Sequence, residues 1–309
     1  MDHKPKVVII GGGFGGLWAA KALANNPVQV TLIDRKNHHV FQPLLYQVAT
    51  AVLSPGEIAQ PIRRILHWAK NVEVILGEAT GFDKEKRKVA LLDGAEIEYD
   101  YLIVAAGARH SYFGHDEWET AAPGLKTLED AVEIRRRVLL AFELAESQAY
   151  LTGVQKQLNF VVVGGGPTGV ELAGAIADIA RKALAKDFKA IDTRNAHVML
   201  YEGSDKILDS FGKDLSESAK SQLESLGVEV HLNSFVTEID AGRVKVGENW
   251  IDCDVVLWAT GVAASPLGKA LGVETDKAGR VFVEKDLSLK DFRNVFVIGD
   301  MASLLQENG

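Results

Sequence analysis

The stretch Asn159–Gly174 reads NFVVVGGGPTGVELAG and decides the fold predicted for this chain. A run of apolar β-forming residues leads into Gly164, Gly166 and Gly169, which have the spacing Gly-x-Gly-x-x-Gly, and helix-forming residues follow. In a strand–turn–helix unit, such glycines permit a tight turn and let the backbone approach a pyrophosphate at the helix N-terminus. The stretch therefore predicts a dinucleotide site.

A first copy of this motif occurs near the start of the chain, where Lys6–Gly16 reads KVVIIGGGFGG. Its three spaced glycines are Gly11, Gly13 and Gly16, and the unit is predicted as strand Val7–Ile10, a helix from about Phe14 to Ala24 and strand Val28–Ile33. In each copy the next strand should end in an acid that binds an adenosine ribose. Asp34 ends VQVTLID and Glu202 ends HVMLYE, so both copies meet this expectation.

The two copies predict an α/β protein with two Rossmann-like domains that have parallel central sheets and small antiparallel β-meanders. Ala105-Ala106-Gly107 and Ala259-Thr260-Gly261 are matching strand ends in the two halves. The late run Asn294–Ala302, NVFVIGDMA, reads as a buried strand ending in Gly299-Asp300 and is assigned to the first domain. We therefore predict a discontinuous first domain of residues 1–112 plus 286–309, and a second domain of residues 113–285 in which 113–158 is a connecting helical segment.

Composition excludes several classes of protein. The chain has 309 residues, and its 42 acidic and 34 basic residues give a net charge of −8, so nucleic acid is not expected as a partner. The first predicted strand begins within a few residues of Met1, and no apolar run approaches the ~20 residues of a membrane helix. We therefore expect a cytoplasmic protein.

The single cysteine, Cys253, excludes an intramolecular disulfide and a redox-active dithiol. It lies in an apolar run and is interpreted as a small buried hydrophobic residue. The spacing of the histidines matches no ligand set, so no metal is predicted. These histidines are interpreted as surface or loop residues, and they are His38, His39, His110 and His115.

The segment FQPLLYQVAT, residues 41–50, follows the first ribose-binding strand. It is either a plug in the core or part of the lining of a cofactor site, and its position favours the lining. Beyond it, Ser54-Pro55-Gly56-Glu57 resembles a capping box with proline at the first helical position. We expect a helix over Pro55–Ala69, with Pro61 as a kink.

Together these features resemble the flavoproteins with two dinucleotide-binding domains. Within that family, FQPLLYQVAT and VVVGGGPTGVELAGAIAD are similar to type II NADH:quinone oxidoreductases, the non-pumping respiratory NADH dehydrogenases. The resemblance covers nearly the whole chain, and disulfide reductases of the family have a CxxxxC pair where this chain has FQPLLY. It implies that FAD and NADH bind to the first and second domains.

The resemblance also implies roles for individual residues. The FAD residues would be Gly11, Gly13, Gly16, Asp34, Gly107, Gly299 and Asp300. The NADH residues would be Gly164, Gly166, Gly169, Glu202 and Gly261. Glu171 would lie near the flavin and nicotinamide rings as the catalytic candidate, although it could also be an ordinary first-turn helix acid favoured by the helix dipole.

The chain departs from the family at its end. Relatives continue past the equivalent of Asn308 into a quinone-site motif and amphipathic membrane-binding helices. We therefore expect an impaired quinone step, no stable membrane anchor, and an electron acceptor that is a quinone or another molecule. The full-length relatives are peripheral on the inner face of the cell membrane, and a homodimer is left open. Two alternatives also stay open, a reductase of a small redox protein such as ferredoxin or rubredoxin, and a non-enzymatic NADH sensor.

Overall fold

The fold is described from a computed structural model, which describes residues 4–305. The expected departure from the family at Asn308 lies outside these residues. In chain order, the α-helices are α1 Phe14–Leu23, α2 Leu45–Ala49, α3 Pro55–Ile58, α4 Ile62–Leu66, α5 Leu128–Thr152, α6 Pro167–Asp178, α7 Lys213–Ser225 and α8 Leu267–Ala270.

The strands are short and alternate with these helices. In chain order they are β1 Lys6–Ile10, β2 Gln29–Asp34, β3 His38–Val40, β4 Ala59–Pro61, β5 Val72–Leu76, β6 Ala79–Asp83, β7 Lys88–Leu91, β8 Glu96–Glu98, β9 Tyr101–Val104, β10 Ala108–His110, β11 Asn159–Val163, β12 His197–Tyr201, β13 Val228–His231, β14 Val236–Asp240, β15 Arg243–Val246, β16 Asn249–Asp252, β17 Val255–Trp258, β18 Val262–Ala264, β19 Val281–Val283, β20 Val295–Val297 and β21 Ala302–Leu304.

The chain forms two compact units, which confirms the predicted α/β class. Of the described residues, unit 1 comprises 4–40, 59–109 and 262–305, and unit 2 comprises 41–58 and 110–261. These bounds differ from the predicted domains in three places, the smallest of which is residues 110–112, predicted in the first domain but found in unit 2. Residues 41–58 belong to unit 2 although they were placed in the first domain, and residues 262–285 belong to unit 1 although they were placed in the second. Within residues 4–305, no helix is long and apolar enough to cross a membrane.

Unit 1 is built on a parallel sheet of order β20-β9-β1-β2-β5. Its strands are nearly continuous apolar runs because both faces of the sheet are covered. On one face, Leu17 of α1 and Ile62 and Leu66 of α4 pack in one buried cluster with Ile9 and Leu32. The antiparallel strands β6, β7 and β8 form a small meander.

Unit 2 repeats this plan with a parallel sheet of order β13-β12-β11-β17. The antiparallel strands β14, β15 and β16 form its meander. The long helix α5 begins with a capping box, in which Thr127 Oγ1 accepts from the Asp130 N–H and the Asp130 carboxylate accepts from the Thr127 N–H. It ends at Gly153, which is left-handed at φ 72°.

The predicted helix over Pro55–Ala69 is wrong as a single element. The Glu57 carboxylate accepts from the Ser54 N–H at 2.6 Å, as a capping box requires, but the helix stops at Ile58. Residues Ala59–Pro61 pair instead with β3, and α4 begins after them. Pro61 explains the break, because it lacks the N–H that a continuous helix would need there.

Candidate dinucleotide-binding sites

The first glycine of each motif makes the turn from strand to helix. Gly11 and Gly164 are left-handed, with φ of 101° and 108°, which favours glycine over all other residues. A β-carbon at Gly11 would overlap the carbonyl oxygen of Ala105, and one at Gly164 would lie 2.9 Å from the Thr260 nitrogen. The turn and the close approach to the neighbouring strand both require glycine.

The third glycine lets the helix start directly beside this turn. A β-carbon at Gly16 would overlap the carbonyl oxygen of Gly11, and one at Gly169 would overlap that of Gly164. Any larger residue would push α1 or α6 away from its strand. Both positions therefore serve packing and act on a ligand only through the shape of the turn.

The second glycine is different in kind. Gly13 and Gly166 have ordinary extended backbones, with φ of −70° and −71°, and no atom lies within 4 Å of a β-carbon built on either. Each faces open space in front of a helix N-terminus, where unpaired N–H groups and the helix dipole favour an anion. This is the space that a dinucleotide pyrophosphate requires.

An acid lies beside each turn, at the end of the second strand. The Asp34 carboxylate accepts from the Gly12 N–H at 2.5 Å and from the Lys36 N–H at 2.7 Å. The Glu202 carboxylate accepts from the Gly165 N–H at 2.6 Å and from the Ser204 N–H at 2.8 Å. The two acids are thus fixed in the same way, and their remaining lone pairs can accept from ribose hydroxyls.

Three further residues of unit 1 lie at the same edge of its sheet. Gly107 follows β9, and Gly299 and Asp300 follow β20, whose neighbour in the sheet is β9. Asp300 is exposed in the short 3-10 turn Gly299–Met301. Because the carboxyl ends of parallel strands meet at one edge, these residues lie on the side where Gly11 turns.

In unit 2, Gly261 occupies the place that corresponds to Gly107. It is left-handed at φ 75°, and its carbonyl oxygen accepts from the Ser111 N–H at 3.0 Å. A β-carbon at Gly261 would overlap the Ser111 carbonyl oxygen and lie 3.0 Å from the Phe113 ring. The position therefore requires glycine for both conformation and space.

Glu171 is the fifth residue of α6, beyond its first turn. The interpretation as a first-turn acid therefore does not fit, since the dipole acts mainly within the first turn and would lower the pKa. The residue is exposed to solvent, although partial burial of its carboxyl group still raises the pKa of that group. Desolvation disfavours the charged form of the carboxyl group.

The segment 41–58 lies in unit 2. Its helix α2 packs against α5 and α6, and Leu45, Val48 and Ala49 are buried. Long-range packing of this kind has no signal in local sequence, which explains why the segment was assigned to the first domain. Phe41 lies exposed at its start.

One residue beside the first turn was missed by the sequence reasoning. His39 was interpreted as a surface or loop histidine, but its Nδ1 lies 3.0 Å from the Gly12 carbonyl oxygen and its ring meets Phe14 edge to face. Cys253, by contrast, is buried, and burial raises the pKa of its thiol to about 12. A thiol with this pKa is protonated and inert at neutral pH.

Two parallel βαβ units, each with an open glycine turn and a fixed carboxylate, define a protein with two dinucleotide sites. The family model for pyridine nucleotide-disulphide oxidoreductases matches residues 5–308. Two relatives from Mycobacterium tuberculosis are the type II NADH:quinone oxidoreductases NdhA and Ndh, which are 48% and 46% identical to this chain. The matches cover 96% and 98% of this chain.

The same matches cover 66% and 68% of the relatives, so the chain spans about two thirds of their length. A solved structure, NDH2 from Plasmodium falciparum in complex with NADH, is 24% identical, with a TM-score of 0.87 over 98% of this chain and 65% of that one. At this identity the likeness shows the fold alone.

The chain belongs to the pyridine nucleotide-disulphide oxidoreductase family, and within it to the type II NADH:quinone oxidoreductases. This confirms the resemblance found in the sequence.

Proposed function

We propose that this chain takes hydride from NADH onto FAD and passes the electrons to a quinone without pumping protons. The observation that carries the proposal is the duplicated site, in which each unit has an open glycine turn beside a fixed carboxylate. Two such sites suit one resident dinucleotide and one exchanging dinucleotide. The Mycobacterium tuberculosis relatives are named for this reaction, which supports the choice of substrates.

Unit 1 would hold FAD. The turn at Gly11, Gly13 and Gly16 would bind the pyrophosphate with backbone N–H groups, and Asp34 would accept from the adenosine ribose. Residues after β9 and β20 would contact the middle of the cofactor, and Asp300 would accept from ribitol hydroxyls. These residues are Gly107, Gly299 and Asp300.

Unit 2 would bind NADH by the same arrangement. Its glycine turn would hold the pyrophosphate, and Glu202 would accept from the ribose hydroxyls of the adenosine. Gly261, at the strand end after β17, would lie near the nicotinamide half. The turn residues are Gly164, Gly166 and Gly169.

Bound FAD supplies the chemistry of hydride acceptance from NADH and of electron delivery to the acceptor. The chain contributes position, because two reacting rings held in contact react as if they were extremely concentrated. We propose that Glu171 lies near the flavin and nicotinamide rings. Its raised pKa would let the carboxyl group hold a proton closer to neutral pH than an ordinary glutamate does.

The cellular setting follows from the proposed substrates. NADH is dissolved in the cytoplasm, whereas respiratory quinones dissolve in the lipid phase. We therefore propose a cytoplasmic enzyme that works at the inner face of the cell membrane. Cell fractionation at low and high salt would test this, and a protein found only in the soluble fraction at low salt would contradict it.

The test of the reaction separates its two halves. Purified protein should contain about one non-covalent FAD per chain, and NADH should bleach the flavin under anaerobic conditions. Steady-state turnover is then compared with a quinone analogue, ferredoxin and rubredoxin as acceptors. Preferential reduction of ferredoxin or rubredoxin would support the reductase alternative, and flavin reduction without turnover would support the sensor alternative. A protein with no flavin would refute the proposal.

A further inference from the structure

An exposed phenylalanine lies beside the ribose-binding acid of unit 2. Phe235 is 69% exposed, in the loop between β13 and β14. Its inner side rests on the backbone of Gly203, where a β-carbon would lie within 2.7 Å of ring atoms Cδ1 and Cζ. The absence of a side chain at Gly203 therefore lets the ring lie directly against the residue that follows Glu202.

The loop that carries this ring is fixed by its backbone. The Ser234 N–H donates to the Glu202 carbonyl oxygen at 2.9 Å, and the Asn233 N–H donates to the Ser204 carbonyl oxygen at 2.9 Å. Asn233 is left-handed at φ 52°. The two N–H groups thus donate to the residues before and after Gly203, which are Glu202 and Ser204. The position of Phe235 relative to Glu202 is thus set before any ligand binds.

We infer that Phe235 is the stacking platform for the adenine base of the dinucleotide that binds to unit 2. The inference rests on the proposed binding of NADH there. In adenosine the base and the ribose hydroxyls are attached to the same sugar ring. A ribose held by Glu202 therefore brings its base close to the loop. An exposed aromatic ring offers a π-face to such a base and removes apolar surface from water when it stacks.

Unit 1 has the same backbone arrangement without the ring. The Gly77 N–H donates to the Asp34 carbonyl oxygen at 2.9 Å, which corresponds to the contact of Ser234 with Glu202. The next residue there is the exposed Glu78, where unit 2 has Phe235. The platform is therefore a feature of unit 2 and not of the shared fold.

The experiment measures binding of ADP-ribose and NADH by calorimetry to the wild-type chain and to Phe235→Ala, Phe235→Leu and Phe235→Trp. The matched control is Tyr150→Ala, which removes an aromatic ring that is 82% exposed on α5 of the same unit. Reduced nicotinamide mononucleotide, which lacks adenosine, is tested as a flavin reductant. Stacking of one base predicts that Phe235→Ala raises the Kd of ADP-ribose and of NADH about tenfold, or about 1.4 kcal/mol.

Support requires three further results. Phe235→Trp keeps wild-type affinity, Phe235→Leu lies between wild type and Ala, and the mononucleotide reacts equally with all variants. Unchanged ADP-ribose binding in Phe235→Ala overturns the inference and leaves the proposed function standing. Full rescue by Leu also overturns it, because an apolar side chain on Gly203 would then suffice. An equal loss of reaction with the mononucleotide overturns it as well, because the effect would then not require adenosine. A wild-type chain that binds neither NADH nor ADP-ribose refutes the proposed function itself.

Discussion

Gly13→Val should remove FAD while leaving the folded chain intact. Gly13 has an ordinary extended backbone, so valine is free of strain there, and no protein atom lies within 4 Å of its β-carbon. We expect the free energy of unfolding of the flavin-free protein to change by less than about 1 kcal/mol, as for other substitutions without contacts. The new side chain would instead occupy the open space in front of α1.

The loss of affinity follows from the hydrogen bonds that this side chain would block. A backbone N–H that donates to a charged group contributes about 1.5–3 kcal/mol. If the pyrophosphate is held off the turn and loses two such bonds, binding weakens by about 3–6 kcal/mol, or roughly 10²–10⁴-fold in Kd. The matched variant Gly166→Val should have the same effect on NADH in unit 2.

The two variants give a crossed test. Flavin absorbance per chain, ADP-ribose calorimetry and urea unfolding of the flavin-free proteins are measured for each. Gly13→Val should lose FAD and keep ADP-ribose binding to unit 2, whereas Gly166→Val should keep FAD and lose ADP-ribose binding. A Gly13→Val protein that retains one FAD per chain would refute the assignment of the first turn to the pyrophosphate.

Three other expectations can be checked on the same preparations. Gly16→Ala should destabilise the flavin-free protein by about 1–3 kcal/mol in urea unfolding, because its β-carbon would overlap the Gly11 carbonyl oxygen, and an unchanged midpoint would contradict this packing role. NADPH should bind more weakly than NADH, by about 1–3 kcal/mol, because its 2′-phosphate would meet the Glu202 carboxylate; equal dissociation constants in stopped-flow flavin reduction would argue against this. The pKa of Glu171 is raised in the folded chain, so the folded chain binds the proton of this carboxyl group more tightly than the unfolded chain does. The contribution of Glu171 to stability therefore falls as pH rises from its unfolded pKa through its folded pKa. Glu171→Gln should therefore become more stable relative to wild type as pH rises through that window, and a stability difference that does not vary with pH would contradict the cause assigned to the shift.

Strongly patterned segments of the fold could be predicted closely from the sequence. The first unit was expected as strand Val7–Ile10, helix Phe14–Ala24 and strand Val28–Ile33, and each observed end of these elements lies within one residue. The apolar runs mark buried parallel strands, and the glycines mark the turn between strand and helix. The residues within each segment determine these elements, so the elements can be predicted from the local sequence.

Elements that form only through pairing or packing with another element could not be found in this way. β6, with the sequence ATGFD, has no alternation and forms because β7 pairs with it. The segment 41–58 lies next to unit 1 in sequence and yet packs on helices that come about 80–130 residues later. No local pattern specifies such a choice between two cores.

For the candidate sites, the sequence motifs predicted the residues but did not predict that the three glycines of each motif have different structural roles. Spacing alone treats Gly11, Gly13 and Gly16 alike, whereas the structure separates a turn, an open position and a packing contact. Phe235 has no motif at all, since it is recognised only by its exposure and by its contact with Gly203. The roles of the individual residues toward FAD and NADH stay predictions.

The order of segments in unit 1 has a consequence for synthesis on the ribosome. β20 pairs with β9, but it is made about 190 residues after it, so β9 remains an unpaired sheet edge for roughly 10–40 s at usual rates of translation. The core of unit 2, which ends at residue 261, is complete before that edge is closed. The unit that begins the chain is thus the last to complete its fold. Arrested nascent chains that end before Val295 should therefore be more sensitive to protease in unit 1 than in unit 2.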